Sequence, residues 1–168
     1  LSLLMGDDPI KGKLTVKNLV TPAVNGFIKI EAHLEDIKKF YPIESLDMKG
    51  VLTADAVFDG AFKPAAGLFP TMNGTVSIKN AGIKSLAYPS PVENANLYLQ
   101  LENKTGSIQD SKLQIQRFTF SLEGDKFDMK GSLNDFKNYD YDIIIKGPLD
   151  LGKITKIYPI ENITVSGR

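Results

Sequence analysis

A chain of 168 residues suffices for one domain, and its 42% hydrophobic and 24% charged residues place it among folded rather than disordered proteins. Twenty basic residues balance twenty acidic ones, so no global field draws the chain to nucleic acid, and no nucleic-acid partner is expected. There is no Cys and one His. That excludes disulfides and thiol catalysis, leaves a transition-metal site short of its usual ligands, and points to no metal or cofactor.

The apolar runs all fall short of the ~20 residues of a membrane-spanning helix, and Leu1–Met5 is too short for a signal peptide. The chain opens without an initiator Met and reads as an excised piece of a longer protein. Within it, period-two alternation dominates, the pattern of half-buried strands. Residues 10–18 put Leu14 and Val16 on one face and Thr15 and Lys17 on the other. After a turn at Thr21-Pro22-Ala23, Ile28, Ile30, Ala32 and Leu34 alternate with Lys29, Glu31 and His33, which places the single His on a polar face.

Residues 35–41 break the alternation. Ile37, Phe40 and Tyr41 recur at helical spacing until Pro42, which predicts one or two helical turns ending before the proline. Strand character returns at 45–59, with Leu52, Ala54, Ala56 and Phe58 against Thr53, Asp55 and Val57. Gly60–Thr71 mixes Gly and Pro with Phe62, Leu68 and Phe69; it reads as buried loop packing or as a flap over a groove. In 74–80, Val76 and Ile78 point inward. Residues 82–93 contain Pro89 and Pro91 and read as an edge or connecting segment, since proline cannot serve a central strand.

A meander follows. Leu97, Leu99 and Leu101 share a face, Asn103–Gly106 turns, and Leu113 and Ile115 continue. At Arg117 the phase slips by one residue to Phe118, Phe120 and Leu122, which calls for a bulge or break. Glu123-Gly124-Asp125-Lys126 reads as a hairpin turn. Phe127 and Met129 follow, a polar turn spans Asn134–Asn138, and Tyr139, Tyr141, Ile143 and Ile145 end the meander. Leu151, Ile154, Ile157 and Tyr158 then repeat the helical spacing up to Pro159.

That second helical segment belongs to a repeat. Tyr41-Pro42-Ile43-Glu44 recurs as Tyr158-Pro159-Ile160-Glu161, so residues 28–44 resemble 143–161 at a period of about 117 residues, and Lys11-Gly12-Lys13-Leu14 resembles Lys130-Gly131-Ser132-Leu133. Residues 1–168 therefore read as a single β-rich domain cut from a longer repeat protein. The expected fold is mainly β: a curled antiparallel β-meander sheet, an open groove or partial barrel, with two short helices. Phe40, Tyr41, Ile157 and Tyr158 would cap one end of its apolar face.

Catalytic signals are weak. Asp7-Asp8-Pro9 is a turn signal, and Asp140 and Asp142 share one strand face, whereas a hydrolytic pair needs carboxylates from separate strands facing one cleft. No phosphate-binding glycine loop occurs. The sequons at Asn73, Asn103 and Asn162 read as chance. No catalytic residue is expected, and the protein is read as not an enzyme. What remains is the apolar face, which must be hidden. Its expected lining is Leu14 and Val16, Ile28 and Ile30, then Leu97, Leu99 and Leu101. Further along come Phe118 and Phe120, Phe127 and Met129, and Ile143 and Ile145.

A specific pattern accompanies this face. Asn73-Gly74-Thr75-Val76-Ser77-Ile78 leads through Asn80-Ala81-Gly82-Ile83 and Tyr88-Pro89-Ser90-Pro91-Val92-Glu93-Asn94 to Leu97-Tyr98-Leu99. Phe127-Asp128-Met129-Lys130-Gly131-Ser132-Leu133 then meets Gly147-Pro148-Leu149-Asp150-Leu151. This resembles the C-terminal region of the AsmA-like family, relatives of TamB. The resemblance implies a bacterial periplasmic protein, anchored to the inner membrane through a segment outside this chain. It implies a role in phospholipid transport and outer-membrane biogenesis, with a phospholipid or other acyl-chain lipid as ligand and inner- and outer-membrane proteins as further partners. It carries no catalytic residues. The rival expectation is a β-sandwich serving as a structural or adhesive module of a bacterial surface protein.

Overall fold

Alternating apolar and polar residues over ten or more positions favour long strands, and short polar turns favour pairing each strand with the next. The computed structural model follows that rule throughout. It describes residues 2–5, 8–18, 20, 22–40, 45–86, 90–148 and 150. The strands are β1 (Ser2–Met5), β2 (Asp8–Lys17), β3 (Ala23–His33), β4 (Leu46–Ala61), β5 (Thr71–Ser85), β6 (Val92–Asn103), β7 (Ser111–Leu122), β8 (Asp125–Asn134) and β9 (Asp140–Lys146). One helix, α1 (Leu34–Phe40), joins β3 to β4. All nine strands form one sheet in sequence order, every neighbour antiparallel.

The sheet is a meander not closed into a barrel, as the alternation predicts. Among the described residues there is no second sheet, so the rival sandwich is not the architecture. The first short helix forms where the spacing places it. The second, at 151–158, lies outside the described residues, as do the side chains of Phe40, Tyr41, Ile157 and Tyr158.

Two further expectations need correcting. The short strand β1 has no counterpart in the alternation reading. Of the two readings of 82–93, connecting segment holds for the residues between the strands and edge does not: Gly82–Ser85 finish β5 and Val92 starts β6, both in the sheet interior. Pro91 sits in the connection between them, outside either strand, and removes no ladder hydrogen bond; Pro89 lies outside the described residues.

The phase slip at Arg117 is a bulge: Leu99 pairs with Ile115 while Tyr98 pairs with Arg117, leaving Gln116 extra. Related irregularities cross the neighbouring strands at Lys49/Val51, Ile78/Ala81 and Glu93/Asn96. Gly50 (φ 123°), Asn80 (φ 51°) and Asn94 (φ 51°) take the positive φ values there, conformations that Gly and Asn adopt most readily. The Asn80 N–H donates to Asn96 Oδ1 at 3.0 Å, and Asn96 Nδ2 donates to the Asn94 carbonyl at 2.8 Å. Bulges bend a strand and strengthen its twist, so this aligned set turns the α1 end of the sheet.

A seven-residue helix is unstable alone. Glu35 and Asp36 in its first turn favour its positive end, but docking holds it. Leu34 packs with Ala81 and Ala95, and Ile37, Met48, Leu52, Ile78, Val92, Phe118 and Phe120 surround that cluster. Ala32, Leu34, Ala81 and Ala95 are the buried apolar residues, and among the described residues no large side chain falls below 2% exposure. Among the described residues no second layer packs against this sheet.

Candidate functional site

Pairing brings the inward residues into rows that cross the sheet. The first row runs Gly12–Ile28–Ala56–Gly74 and on through Leu101–Leu113–Leu133–Tyr141. A second runs Ile10–Ile30–Ala54–Val76 and then Leu99–Ile115–Gly131–Ile143. The third begins at Ala32 and passes through Leu52, Ile78, Leu97, Phe118 and Met129 to Ile145. None contains a charge. The first two cross eight strands, about 34 Å at ~4.8 Å per strand, close to the ~30 Å hydrocarbon thickness of a bilayer.

All the expected lining residues fall on this face. Leu97, Leu99 and Leu101 occupy its middle. Phe118, Phe120 and Phe127 form an aromatic run toward the α1 end, with ring centroids 4.9 Å and 5.2 Å apart. Leu14 and Val16 lie at one flank, 63% and 44% exposed, and Ile143 and Ile145 at the other, 49% and 59% exposed. Exposure therefore rises from the centre toward the flanks. The bulge keeps Phe118 and Phe120 on the same side as Leu113 and Ile115.

The floor of the face belongs to residues outside that expected lining. Ala54, Ala56 and Gly74 make its low centre, between Ile28 and Ile30 on one side and Leu99 and Leu101 on the other. A Cβ on Gly74 would stand 2.9 Å from that of Ala56. The signal was in the same alternation, but small residues carry less of it. At the far end the Phe58 ring lies against Gly26, whose Cβ would approach it to 2.8 Å.

The opposite face is polar and cross-paired. Lys29 meets Asp55 at 2.7 Å and Arg117 meets Asp128 at 3.8 Å, surface pairs that each contribute about 0–1 kcal/mol. His33 stands exposed on this face, as its strand position predicts, opposite Val51. It lines a cleft of about 510 Å³ with Glu35, Lys49, Asn80, Glu93 and Asn94. A second open cleft, about 600 Å³, has Phe27 and Val57 among Lys13, Asn25, Asp59 and Asn73. Asp140 and Asp142 are exposed on the same side of β9. Among the described residues no group of three His, Asp or Glu could hold a metal.

The loop after β4 is tied to neighbouring turns but is not the buried packing expected of it: Phe62 and Leu68 are 43% and 42% exposed. The Phe62 N–H donates to the Pro22 carbonyl at 2.9 Å, and the Phe69 N–H to the Gly106 carbonyl at 2.7 Å. Phe62 and Phe69 meet edge to face at 6.2 Å. Gly106 belongs to a turn organised by Asn103, which is 4% exposed. Its Nδ2 donates to the Ser107 carbonyl and the Ser111 hydroxyl, both at 3.0 Å; its Oδ1 accepts from the N–H groups of Thr105 (3.2 Å) and Gly106 (2.7 Å). A side-chain amide so occupied cannot accept a glycan, so this sequon is structural.

Comparison with family models, with curated proteins and with solved structures returns no match for this chain.

Proposed function

We propose that this chain is a non-enzymatic segment of a bacterial periplasmic protein, anchored to the inner membrane through a segment outside it. Its open apolar face carries lipid acyl chains in phospholipid transport and outer-membrane biogenesis. The observation that carries the reading is the set of uncharged rows across a face that has no opposing layer among the described residues. The resemblance to AsmA-like proteins supplies the compartment and the phospholipid.

The energetics fit a transient carrier. A buried methylene is worth ~0.8 kcal/mol, and a chain lying on an open face is covered on about one side, so ~0.4 kcal/mol per methylene. Twelve methylenes then yield roughly 5 kcal/mol, before the entropic cost of association. A one-chain amphiphile would bind weakly, and a two-chain lipid well enough to be carried and released. Head groups would stay at the solvated flanks, because burying an unpaired charge costs far more than the face returns.

Native mass spectrometry of the purified chain tests this, with Leu99→Glu and Gln100→Glu as paired variants. Leu99 is in the middle row and Gln100 faces the polar side. Copurified two-chain phospholipid should be present in the wild type and in Gln100→Glu and lost from Leu99→Glu. Lipid-free wild-type protein, or equal lipid in both variants, would overturn the reading.

A further inference from the structure

The polar face holds an exposed apolar island. Across β2 to β6 one row runs Lys13–Phe27–Val57–Asn73–Glu102. Phe27 and Val57 stand opposite each other within it, 37% and 54% exposed. A cross-strand pair of this kind steadies a sheet, but here it also leaves an aromatic ring and a branched side chain in contact with water. Polar groups surround the pair on every side. Lys13 and Asn73 flank it within the row. Along the strands, Asn25 Nδ2 donates to Asp59 Oδ1 at 3.0 Å on one side, and Lys29 meets Asp55 at 2.7 Å on the other.

The chemistry of that rim narrows the ligand. The open cleft over the pair, about 600 Å³, falls within the ~300–1,000 Å³ of small-molecule sites. Its charges cancel, Lys13 and Lys104 against Asp59 and Glu102, so no local field favours an anion or a cation. The island is one ring and one isopropyl group, far short of the ~800 Å² that each partner buries in a standard protein interface. A sugar matches both parts of the site. Its ring presents a C–H face to an apolar platform, and its hydroxyls donate and accept at the rim. Beyond its bond to Asp59, Asn25 keeps a second amide N–H and its carbonyl oxygen, and the Asn73 side chain makes no hydrogen bond among the described residues. Each amide can donate to one hydroxyl and accept from another. The Asn25–Asp59 and Lys29–Asp55 pairs hold the rim in place before a ligand arrives, which lowers the cost of binding.

We infer that this cleft binds a neutral oligosaccharide, with one pyranose ring stacked on Phe27 and Val57 and its hydroxyls bonded to Asn25, Asp59 and Asn73. The platform is a level stretch of strand, so the sugar chain it takes is extended, as in cellulose, rather than coiled. An open cleft leaves the outer side of the sugar in water, and binding is in the millimolar range. The cleft is on the face opposite the apolar rows, and the inference stands whatever those rows carry.

Titration of the isotope-labelled chain with cellotriose, followed by heteronuclear NMR, tests this. The side-chain amide signals of Asn25 and Asn73 should shift and saturate. Phe27→Ala should weaken binding about tenfold, through the lost ring contact and the apolar area it buries, and Phe27→Tyr should bind as the wild type does. Asn73→Ala should weaken binding about fivefold, the worth of one hydrogen bond. That side chain bonds nothing else among the described residues, so its loss reports the ligand and not the fold. Gln114→Ala, on the same face but outside the cleft, should leave binding unchanged. Maltotriose, the same sugar in a coiled linkage, should bind markedly more weakly than cellotriose. The absence of a saturable shift with cellotriose up to its solubility limit would overturn the inference. So would equal affinity in the wild type, Phe27→Ala and Asn73→Ala, or equal affinity for the two sugars.

Discussion

Asn103→Ala should cost about 3 kcal/mol of folding stability. The side chain makes four hydrogen bonds at the start of the β6–β7 turn, two donated and two accepted, at 2.7–3.2 Å. Each contributes ~1 kcal/mol net, more where the orphaned partner stays buried. Gly106 is buried and would lose the partner of its N–H, whereas Thr105 is exposed and can turn to water, which brings the sum to ~3 kcal/mol. The damage should spread, because the Gly106 carbonyl also accepts the Phe69 N–H. For a chain of this size the melting temperature should fall by roughly 6–12 °C. Urea unfolding followed by circular dichroism measures the loss, and a midpoint shift at constant slope identifies it as stability. Asn103→Asp keeps both acceptances and loses both donations, so it should fall between the two. A loss under ~1 kcal/mol in Asn103→Ala would mean that the turn does not close around this side chain.

Gly26→Ala should destabilise by about 1–3 kcal/mol: its Cβ would stand 2.1 Å from the Lys13 carbonyl oxygen, backbone that cannot swing aside, and unfolding curves would show it. Asp135 closes the β8–β9 turn by accepting from Asn138 Nδ2 (2.5 Å) and from the N–H groups of Lys137 and Asn138, and the Asn138 side chain above all holds its carboxyl below the ordinary carboxylate value. A depressed folded-state pKa contributes stability above the unfolded value and loses it as pH falls through the folded one; amide protection at the β8–β9 turn, taken relative to the intrinsic exchange rate at each pH, should therefore fall as pH drops below the carboxylate range, and not in Asp135→Asn. If lipid binds only the folded sheet, saturation at a hundredfold excess over the dissociation constant adds ~2.7 kcal/mol, so delipidation should lower the melting temperature by roughly 5–10 °C, as calorimetry of matched samples would show.

Strand alternation made most of the sheet legible because the inward residues are large. Leu97, Leu99 and Leu101 announce β6, and the slip from Ile115 to Phe118 announces the β7 bulge with a bulky residue on each side. The comparable slip in β5, from Ile78 to Ala81, is muted, since Ala81 carries little hydrophobic signal. In β6 it hides beside the prolines of the β5–β6 connection. The helix at 34–40 was readable from Ile37, Phe40 and Tyr41 and the stop at Pro42. What it covers was not, because Ala81 and Ala95 beneath Leu34 are chosen for close approach rather than bulk. The candidate face was legible from its ridges and not from its floor: Ala54, Ala56 and Gly74 matter by what they leave out.

The two hairpins that prompted the repeat reading share more than sequence. Gly12 faces Ile28 in β2–β3, and Gly131 faces Ile143 in β8–β9; Ile10 faces Ile30, and Met129 faces Ile145. A glycine opposite a β-branched residue lets that side chain lie across the gap, and on Gly131 a Cβ would come within 3.1 Å of the Ile143 side chain. Their surroundings differ. β3 has α1 at its end and β4 on its outer side, and Ala32 and Leu34 are buried there. On β9 the equivalents of Ile28 and Ile30 are half exposed. The pairing is alike and the facing side chains are similar, and on β3 the added burial comes from β4 and α1. Among the described residues the sheet is closed at α1 by Leu34 and Ile37 and most exposed at its flanks. A lipid of the kind proposed would therefore enter from an edge, along the rows, and not past the helix.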